Sequence, residues 1–549
     1  MNVRLWQRPV GRALVLLSAF WAITVAMAAP WTLHPATRLV ANHPDVHLFV
    51  WTLAWDAHAF VAQPLRIFDA NTFFPFSNSL AYSENLIGSA LLSAPVQWLT
   101  GNQVLALNLV SMLTVVLSGV GAYRLGRALG LSRPASVVAG IAFAFAPPRF
   151  VRMGQLHLTA IQWIPLALAS LLDYLNHGRR RDVLLAVAFA TLEALSSGHG
   201  AVFLLVTVVL LLAYRLIVRE PLRVEQWIPD LGAPGVLLLA PALLVFLPYL
   251  RAQREVGLVR SLENWEAHRD SFLASTSYLH QWLLSLVTTH DFTRDATAWL
   301  FPGYLPLVLA GVALLRPVRE RAPFYFLALT VVSVLMMTGG PLSLWPHLFA
   351  LPGFSFIRVP SRFGLLAMLG VAMLAGIGLQ RLVEGRASRR AWAAALAVSG
   401  LMLGEFASPP TPGADFTLHA EPIDRWVNTL PAGASLAEVP VPSPGNAGAF
   451  ERQQTTAMLH SMAHWRPIVQ GYSGIRPPLQ LEILTALTAF PDELSLHLLT
   501  QAQVDYVLVH ADQYPEGRWP ELLTRIEAEA RLRLVYFEGN GRVYQLLRP

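Results

Sequence analysis

The sequence predicts a polytopic α-helical membrane protein of about eleven transmembrane helices, followed by a C-terminal soluble α/β domain. Three observations predict it. Across 549 residues, 54% are hydrophobic and only 13% charged, with a mean hydropathy of +0.47; soluble proteins carry roughly 25% charged residues. Apolar runs of bilayer-spanning length recur as far as about residue 406. Arginine-rich loops punctuate them alternately, and all fall on one side of the membrane.

At the N-terminus, Arg4, Arg8 and Arg12 precede an apolar run from Ala13 to Trp31. The residues before Pro30 resemble a signal cleavage site, but the run approaches the roughly 20 residues that a span needs. A retained first helix is therefore expected. Further spans are expected at about 103–123, 134–148, 158–175, 183–198, 200–217, 231–250, 301–315, 323–340, 363–380 and 391–406. With the N-terminus inside, Arg124/Arg127/Arg133, Arg179–Arg181, Arg215/Arg219/Arg223, Arg316/Arg319/Arg321 and Arg381/Arg386/Arg389/Arg390 all face the cytoplasm. The apolar stretch Leu86–Leu99 is short and contains Pro95. Counted as a span it would put those clusters outside, so it is expected to be re-entrant or interfacial.

This topology divides the chain into a transmembrane module, 1–407, a linker at 408–414 and an extracytoplasmic domain, 415–549. Long outer loops cover about 34–102 and 251–300. In the tail, Ser435–Val441 and Val504–His510 read as buried strands and Trp519–Leu532 as an amphipathic helix. Arg533–Phe537 and Arg542–Leu547 flank Glu538-Gly539-Asn540-Gly541, a hairpin signal. No internal repeat is visible.

Composition also restricts the chemistry. The chain has no cysteine and no lysine, so thiolate and Schiff-base mechanisms are excluded and every fixed cation is an arginine. Arginine in place of lysine suggests a GC-rich, bacterial genome and hence the bacterial inner membrane. The pI near 9.8 reflects arginines dispersed between apolar runs, not a nucleic-acid-binding face.

Candidate functional residues gather on the outer side. Asp45, in Asn42-His43-Pro44-Asp45, lies just past the first span. Trp51, Trp55 and His58 follow at helical spacing, so Asp45–Phe60 is expected to lie in the interface with its Trp side chains at headgroup level. Asp56, Asp69 and Glu84 are further acidic candidates, although Asp69 also suits a turn and Glu84 a helix cap. Arg149 and Arg152 sit at an outer helix end against the charge rule, where they would bind a lipid phosphate or snorkel to headgroups. Arg358 and Arg362, in Arg358-Val359-Pro360-Ser361-Arg362, open the tenth span and suit the same anion. His157 lies near the top of the fourth span. His199 in Ser197-Gly198-His199-Gly200 reads as structural, and His460 and His464 as surface or packing residues. His290-Asp291 in the 251–300 loop is a candidate acceptor-orienting or divalent-cation site, but its spacing matches no metal motif.

An acidic residue soon after the first span, a long first outer loop, outer arginines and a domain after the spans together resemble the GT-C glycosyltransferases. These membrane enzymes use polyprenyl-phosphate sugars and include the protein O-mannosyltransferases and lipid A aminoarabinose transferases. The paired acidic motif common among them is absent, because Val46 follows Asp45. The resemblance implies inverting sugar transfer from a polyprenyl-phosphate donor to a glycan, lipid or protein acceptor. Asp45 would be the general base, and Arg358, Arg362, Arg149 and Arg152 would hold the lipid phosphate. His157, Asp69, Glu84 and His290 would be substrate-binding candidates. The other classes to weigh are a lipid or glycan transporter and a non-catalytic scaffold. Transporters favour repeats and polar residues within spans, whereas here Glu193 is the clearest acidic residue inside one.

Overall fold

The computed structural model describes the chain apart from residues 1–8, 257–261, 263–264, 316–320, 352–353, 355–356, 358 and 549. Its helices of eight or more residues begin with α1 (Pro9–Met27), α2 (Pro44–Ala62), α3 (Ile87–Thr100), α4 (Gln103–Ala128), α5 (Arg133–Phe145) and α6 (Trp163–His177). Next come α7 (Arg180–Ser196), α8 (Gly198–Ile217), α9 (Val224–Leu244), α10 (Phe246–Val256), α11 (Tyr278–Ser285), α12 (Tyr304–Leu315) and α13 (Ala322–Met337). The last are α14 (Gly364–Val383), α15 (Ser388–Phe406), α16 (Ala447–Ser461), α17 (Pro478–Ala486), α18 (Glu493–Gln501) and α19 (Arg518–Ala528).

Ten of the eleven spans expected from the sequence fall mainly on one of these helices, whereas 231–250 runs across the end of α9 into α10. Six segments are long and apolar enough to cross a membrane: Val10–Met27, Gln103–Ala128, Leu156–His177, Gly198–Ile217, Val224–Val256 and Pro360–Val383. The chain is a multi-pass membrane protein. Helices α5, α12 and α13 are apolar but shorter, and α7 and α15 fall in neither class. The segment around Pro95 is the 14-residue helix α3, also outside both.

The described chain forms two compact units. The first comprises residues up to 35, 108–244 and 260–412. Its centre is α14, in which every residue from Gly364 to Leu379 is buried. Helices α5, α12 and α13 pack around it. Small residues make that possible: a Cβ at Gly378 would lie 1.9 Å from the Leu309 carbonyl oxygen, and one at Gly376 would lie 2.8 Å from Ala139 Cβ. Close backbone approach of this kind replaces the hydrophobic drive that helices lack in lipid. In the second long loop, buried His280 bonds Glu405 at the end of α15 (2.8 Å) and Ser275 (2.7 Å), tying the loop down.

Residues 36–107, 245–259 and 413–549 form the second unit. The sequence divides the chain at 408–414, but the structure groups the first outer loop with the tail. Strands β1 (Arg38–Leu39) and β2 (Ala414–Asp415) pair antiparallel, reinforced by an Arg38–Asp415 ion pair at 2.7 Å. The tail folds around a four-stranded sheet, with β3 (Leu436–Val439) parallel to β4 (Tyr506–His510). Strand β6 (Gly541–Leu546) pairs antiparallel with β4 on one side and with β5 (Leu532–Glu538) on the other. The β5–β6 hairpin turns where Gly539-Asn540 falls, as expected from the sequence. Val439, Phe450, Leu496, Val507, Val509 and Ile526 are core residues. Helix α19 stops at Ala528, short of the expected Leu532, which instead opens β5.

One expectation is corrected. Trp51 and Trp55 are each only 3% exposed, so they do not sit at headgroup level. Helix α2 is buried on both flanks, because α3 packs on one side and α16, some 400 residues later in the chain, packs on another. A long-range partner of this kind leaves no trace in local periodicity.

Candidate active site

The N-terminus of α2 presents Asp45. Pro44 fills the first helical position, where its missing N–H costs nothing. His43 caps the helix in extended conformation, its Nδ1 accepting from the Asp45 N–H at 3.2 Å. The same Nδ1 stands 3.9 Å from Asp45 Oδ2, beyond hydrogen-bond distance. Because His43 does the capping, the Asp45 carboxylate is left to act outward. Its side chain is 34% exposed and sits where the helix dipole favours a negative charge.

The second contact comes from the tail. Tyr472 donates its hydroxyl to Asp45 Oδ1 at 2.8 Å, and among the described residues no donor reaches Oδ2. Burial, then the Asp45 charge and hydrogen bond, push the Tyr472 phenol far up, so it stays a donor. Tyr472 is placed by backbone pairing between the first loop and the segment before it. Phe74 N–H donates to the Ile468 carbonyl (2.9 Å), Ile468 N–H to the Asn71 carbonyl (2.8 Å) and Phe73 N–H to the Gln470 carbonyl (3.1 Å). Gly471 lies flat on the Phe73 ring, where a Cβ would come within 2.5 Å of ring carbons. Its N–H donates to Gln454 Oε1 on α16. An Arg476–Glu451 pair at 3.1 Å lies beside Tyr472.

Other acidic candidates of this unit are placed differently. Asp69 closes a turn, accepting from Arg66 Nε and the Asn78 N–H, both at 3.1 Å. Glu84 is buried beside Tyr249, whose hydroxyl accepts from the Asn85 N–H at 3.0 Å. Asp56 is completely buried, and neither carboxylate oxygen has a hydrogen-bond partner among the described residues. Burial drives its carboxyl well above the ordinary carboxylate range, favouring the protonated form.

In the first unit, the arginines separate by burial. Arg149 is 1% exposed and lies over the Phe143 ring, its Nη2 donating to Ser118 Oγ (2.9 Å) and the Thr159 carbonyl (3.0 Å). Buried Glu193 is its electrostatic partner. Arg152 is half-buried and holds Gln155 Oε1 at 3.1 Å. Arg362 lies in the turn before α14, and its guanidinium donates to His199 Nε2. The His199 ring stands 5.5 Å from that of His157, so His199 joins two residues that the sequence singled out separately. Arg358 lies outside the described residues. His290 pairs with Asp270 at 2.6 Å. Among the described residues, no three His, Asp or Glu side chains converge to hold a metal ion.

Sequence reasoning missed Tyr472 and the linking role of His199. Gly471 and Gly474 around Tyr472 marked a loop but gave no partner for it.

No family model and no curated protein matches the sequence. Solved structures do match the fold. The mycobacterial arabinofuranosyltransferase AftD superposes with a TM-score of 0.57 at 17% identity, over 97% of this chain and 40% of that one. The oligosaccharyltransferase of Archaeoglobus fulgidus, solved tethered to an acceptor peptide, superposes with a TM-score of 0.50 at 14% identity. That match covers 92% of this chain and 70% of that one. The chain shares the fold of these two membrane glycosyltransferases. This chain spans about two-fifths of the length of AftD.

Proposed function

We propose that the protein is an integral membrane glycosyltransferase that moves a sugar from a polyprenyl-phosphate donor to an extracytoplasmic acceptor, with inversion. The observation that carries this reading is Asp45: a part-exposed carboxylate at a helix N-terminus, fixed through one oxygen and open at the other. A glycan, lipid or protein hydroxyl would deliver its proton to Oδ2 as its oxygen bonds to the anomeric carbon. The bond from that carbon to the phosphate oxygen breaks in the same step. Polyprenyl phosphate leaves as an anion, so no acid is needed and a single carboxylate suffices.

The leaving phosphate calls for cations less enclosed than Arg149. Arg362 and Arg152 suit it through their planar donor forks, with Arg358 as a further candidate. Arg149, enclosed by Ser118, Thr159 and Phe143, would act from behind as fixed positive charge. His157, reached through His199, and His290 remain substrate-binding candidates. Asp69 and Glu84 would shape the first loop.

The test is to incubate membranes containing the overproduced protein with a panel of labelled polyprenyl-phosphate sugars. Protein-dependent release of polyprenyl phosphate, with label passing to a non-lipid or new lipid product, is expected. Intact donors across the panel would refute the reading.

A further inference from the structure

Further along α2, the second unit carries a groove of about 430 Å³, within the roughly 300–1,000 Å³ usual for small-molecule sites. His58, Gln97, Trp98, Gln103 and Trp465 line it, and alanines and one valine of α2 complete the wall. By helical rise it begins roughly 14 Å from Asp45.

The lining selects its occupant. It contains no charged side chain, and burial holds the His58 imidazole below its ordinary pKa, so a neutral molecule fits. It contains no leucine, isoleucine or phenylalanine either, although the chain is rich in all three; an acyl or prenyl chain would find little to pack against. Ring faces dominate instead. Trp465 stacks on His58 with centroids 4.6 Å apart and planes 18° apart, and meets the edge of Trp55 at 5.7 Å. Trp98 donates its indole N–H to the Ala57 carbonyl at 3.2 Å and still keeps 56% of its surface exposed. Gln97 is pinned through Nε2 to the Leu53 carbonyl at 2.9 Å, which leaves its carbonyl oxygen as an acceptor.

Trp465 is also strained. It sits at φ +54, a left-handed conformation that costs a bulky residue roughly 1–3 kcal/mol. The following residue enforces that conformation. Arg466 donates from Nε to the Leu430 carbonyl (3.0 Å), from Nη1 to the His464 carbonyl (3.0 Å) and from Nη2 to the Asn428 carbonyl (2.9 Å). Backbone strain that its surroundings over-determine is characteristic of ligand clamps.

We propose that this groove binds a neutral sugar residue of a glycan. The weakly positive C–H face of the sugar lies on the indole rings, whose faces are negative, and its hydroxyls bond the Gln97 and Gln103 amides. Identifying that glycan as the acceptor rests on the glycosyl-transfer reading, but binding itself does not.

The full chain in sugar-free phospholipid nanodiscs is titrated with three neutral probes, arabinotetraose, mannotetraose and maltotetraose, and with tetragalacturonate. Saturation-transfer NMR and calorimetry report binding. At least one neutral probe binds and the acidic one does not. Trp98→Ala, which alters an exposed ring, and Trp465→Phe each weaken binding about tenfold, whereas Asp45→Asn leaves it unchanged. Absence of binding by all three neutral probes, equal binding to Trp98→Ala, or displacement by polyprenyl phosphate overturns the proposal. Binding lost while transfer persists sinks the groove alone. Binding kept while Asp45→Asn retains full transfer sinks only the catalytic reading.

Discussion

Tyr472 donates a hydrogen bond to Asp45 across 427 residues of sequence, at 2.8 Å. The residue that orients the proposed base thus comes from the tail and not from the loop that carries the base. Hydrogen bonds to charged groups are worth about 1.5–3 kcal/mol. Tyr472→Phe is expected to lower kcat of sugar transfer by at least about tenfold, with the donor KM little changed. An equal loss in Tyr472→Phe and Tyr472→Ala, traced to KM, would contradict an orienting role.

Gly471 is expected to tolerate no side chain. Its Cα lies on the Phe73 ring, and a Cβ there would require the ring or the backbone to move. Overpacking a well-filled site costs typically about 1–3 kcal/mol. Gly471→Ala should lower the melting temperature and transfer together, and Phe73→Leu in the same chain should restore part of both. Thermal unfolding followed by tryptophan fluorescence measures the first.

Much of this architecture is legible in the sequence, and the limits have physical causes. Spans are visible because a bilayer demands long apolar runs, and the strands around Val507 and the Gly539-Asn540 turn because alternation and turn chemistry are local. Asp45 stands out by its place after the first span. The burial of Trp51 and Trp55, the contact of Tyr472 with Asp45 and the enclosure of Arg149 depend instead on partners distant in the chain. Arg149 therefore looks in sequence like an accessible outer arginine, although its guanidinium is enclosed by Ser118, Thr159 and Phe143.

The tail is expected to be most stable at roughly pH 6–7. Burial opposes protonation of His460, but its 3.0 Å bond to Asp424 and the charges of Asp424, Glu438 and Glu421 outweigh that and raise its pKa to about 9. A histidine raised above its unfolded value stabilises fully below about pH 6.5, and that stability is lost as pH climbs through about 9. The contribution is at most about 3 kcal/mol. Burial depresses His464 to about 4, so stability also falls as pH drops below about 6.5. Asp424→Asn should flatten the alkaline limb in a melting-temperature profile and, because the Asp424 charge also favours protonated His464, leave the acid limb in place and somewhat steeper.

Asp56→Asn is expected to stabilise the protein at pH 7. Complete burial holds its carboxyl well above the ordinary value of about 3.9, so ionisation favours the unfolded chain and costs stability increasingly above that value. The amide removes that ionisation and should add about 1–3 kcal/mol, read as a higher melting temperature at pH 7 than at pH 4 relative to the parent. A lower melting temperature at pH 7 would mean that the carboxylate is ionised and paired.

The central claim is that Asp45 removes the acceptor proton as the sugar leaves its lipid phosphate. Its most direct test is single-turnover transfer by the purified chain in nanodiscs, comparing the parent with Asp45→Asn and following the anomeric configuration of the product by NMR. The account predicts inversion in the parent and a rate lower by about 10²–10⁴-fold in Asp45→Asn, with unchanged donor binding and an unchanged melting profile. Transfer at the parental rate by Asp45→Asn, or retention of configuration, would contradict it.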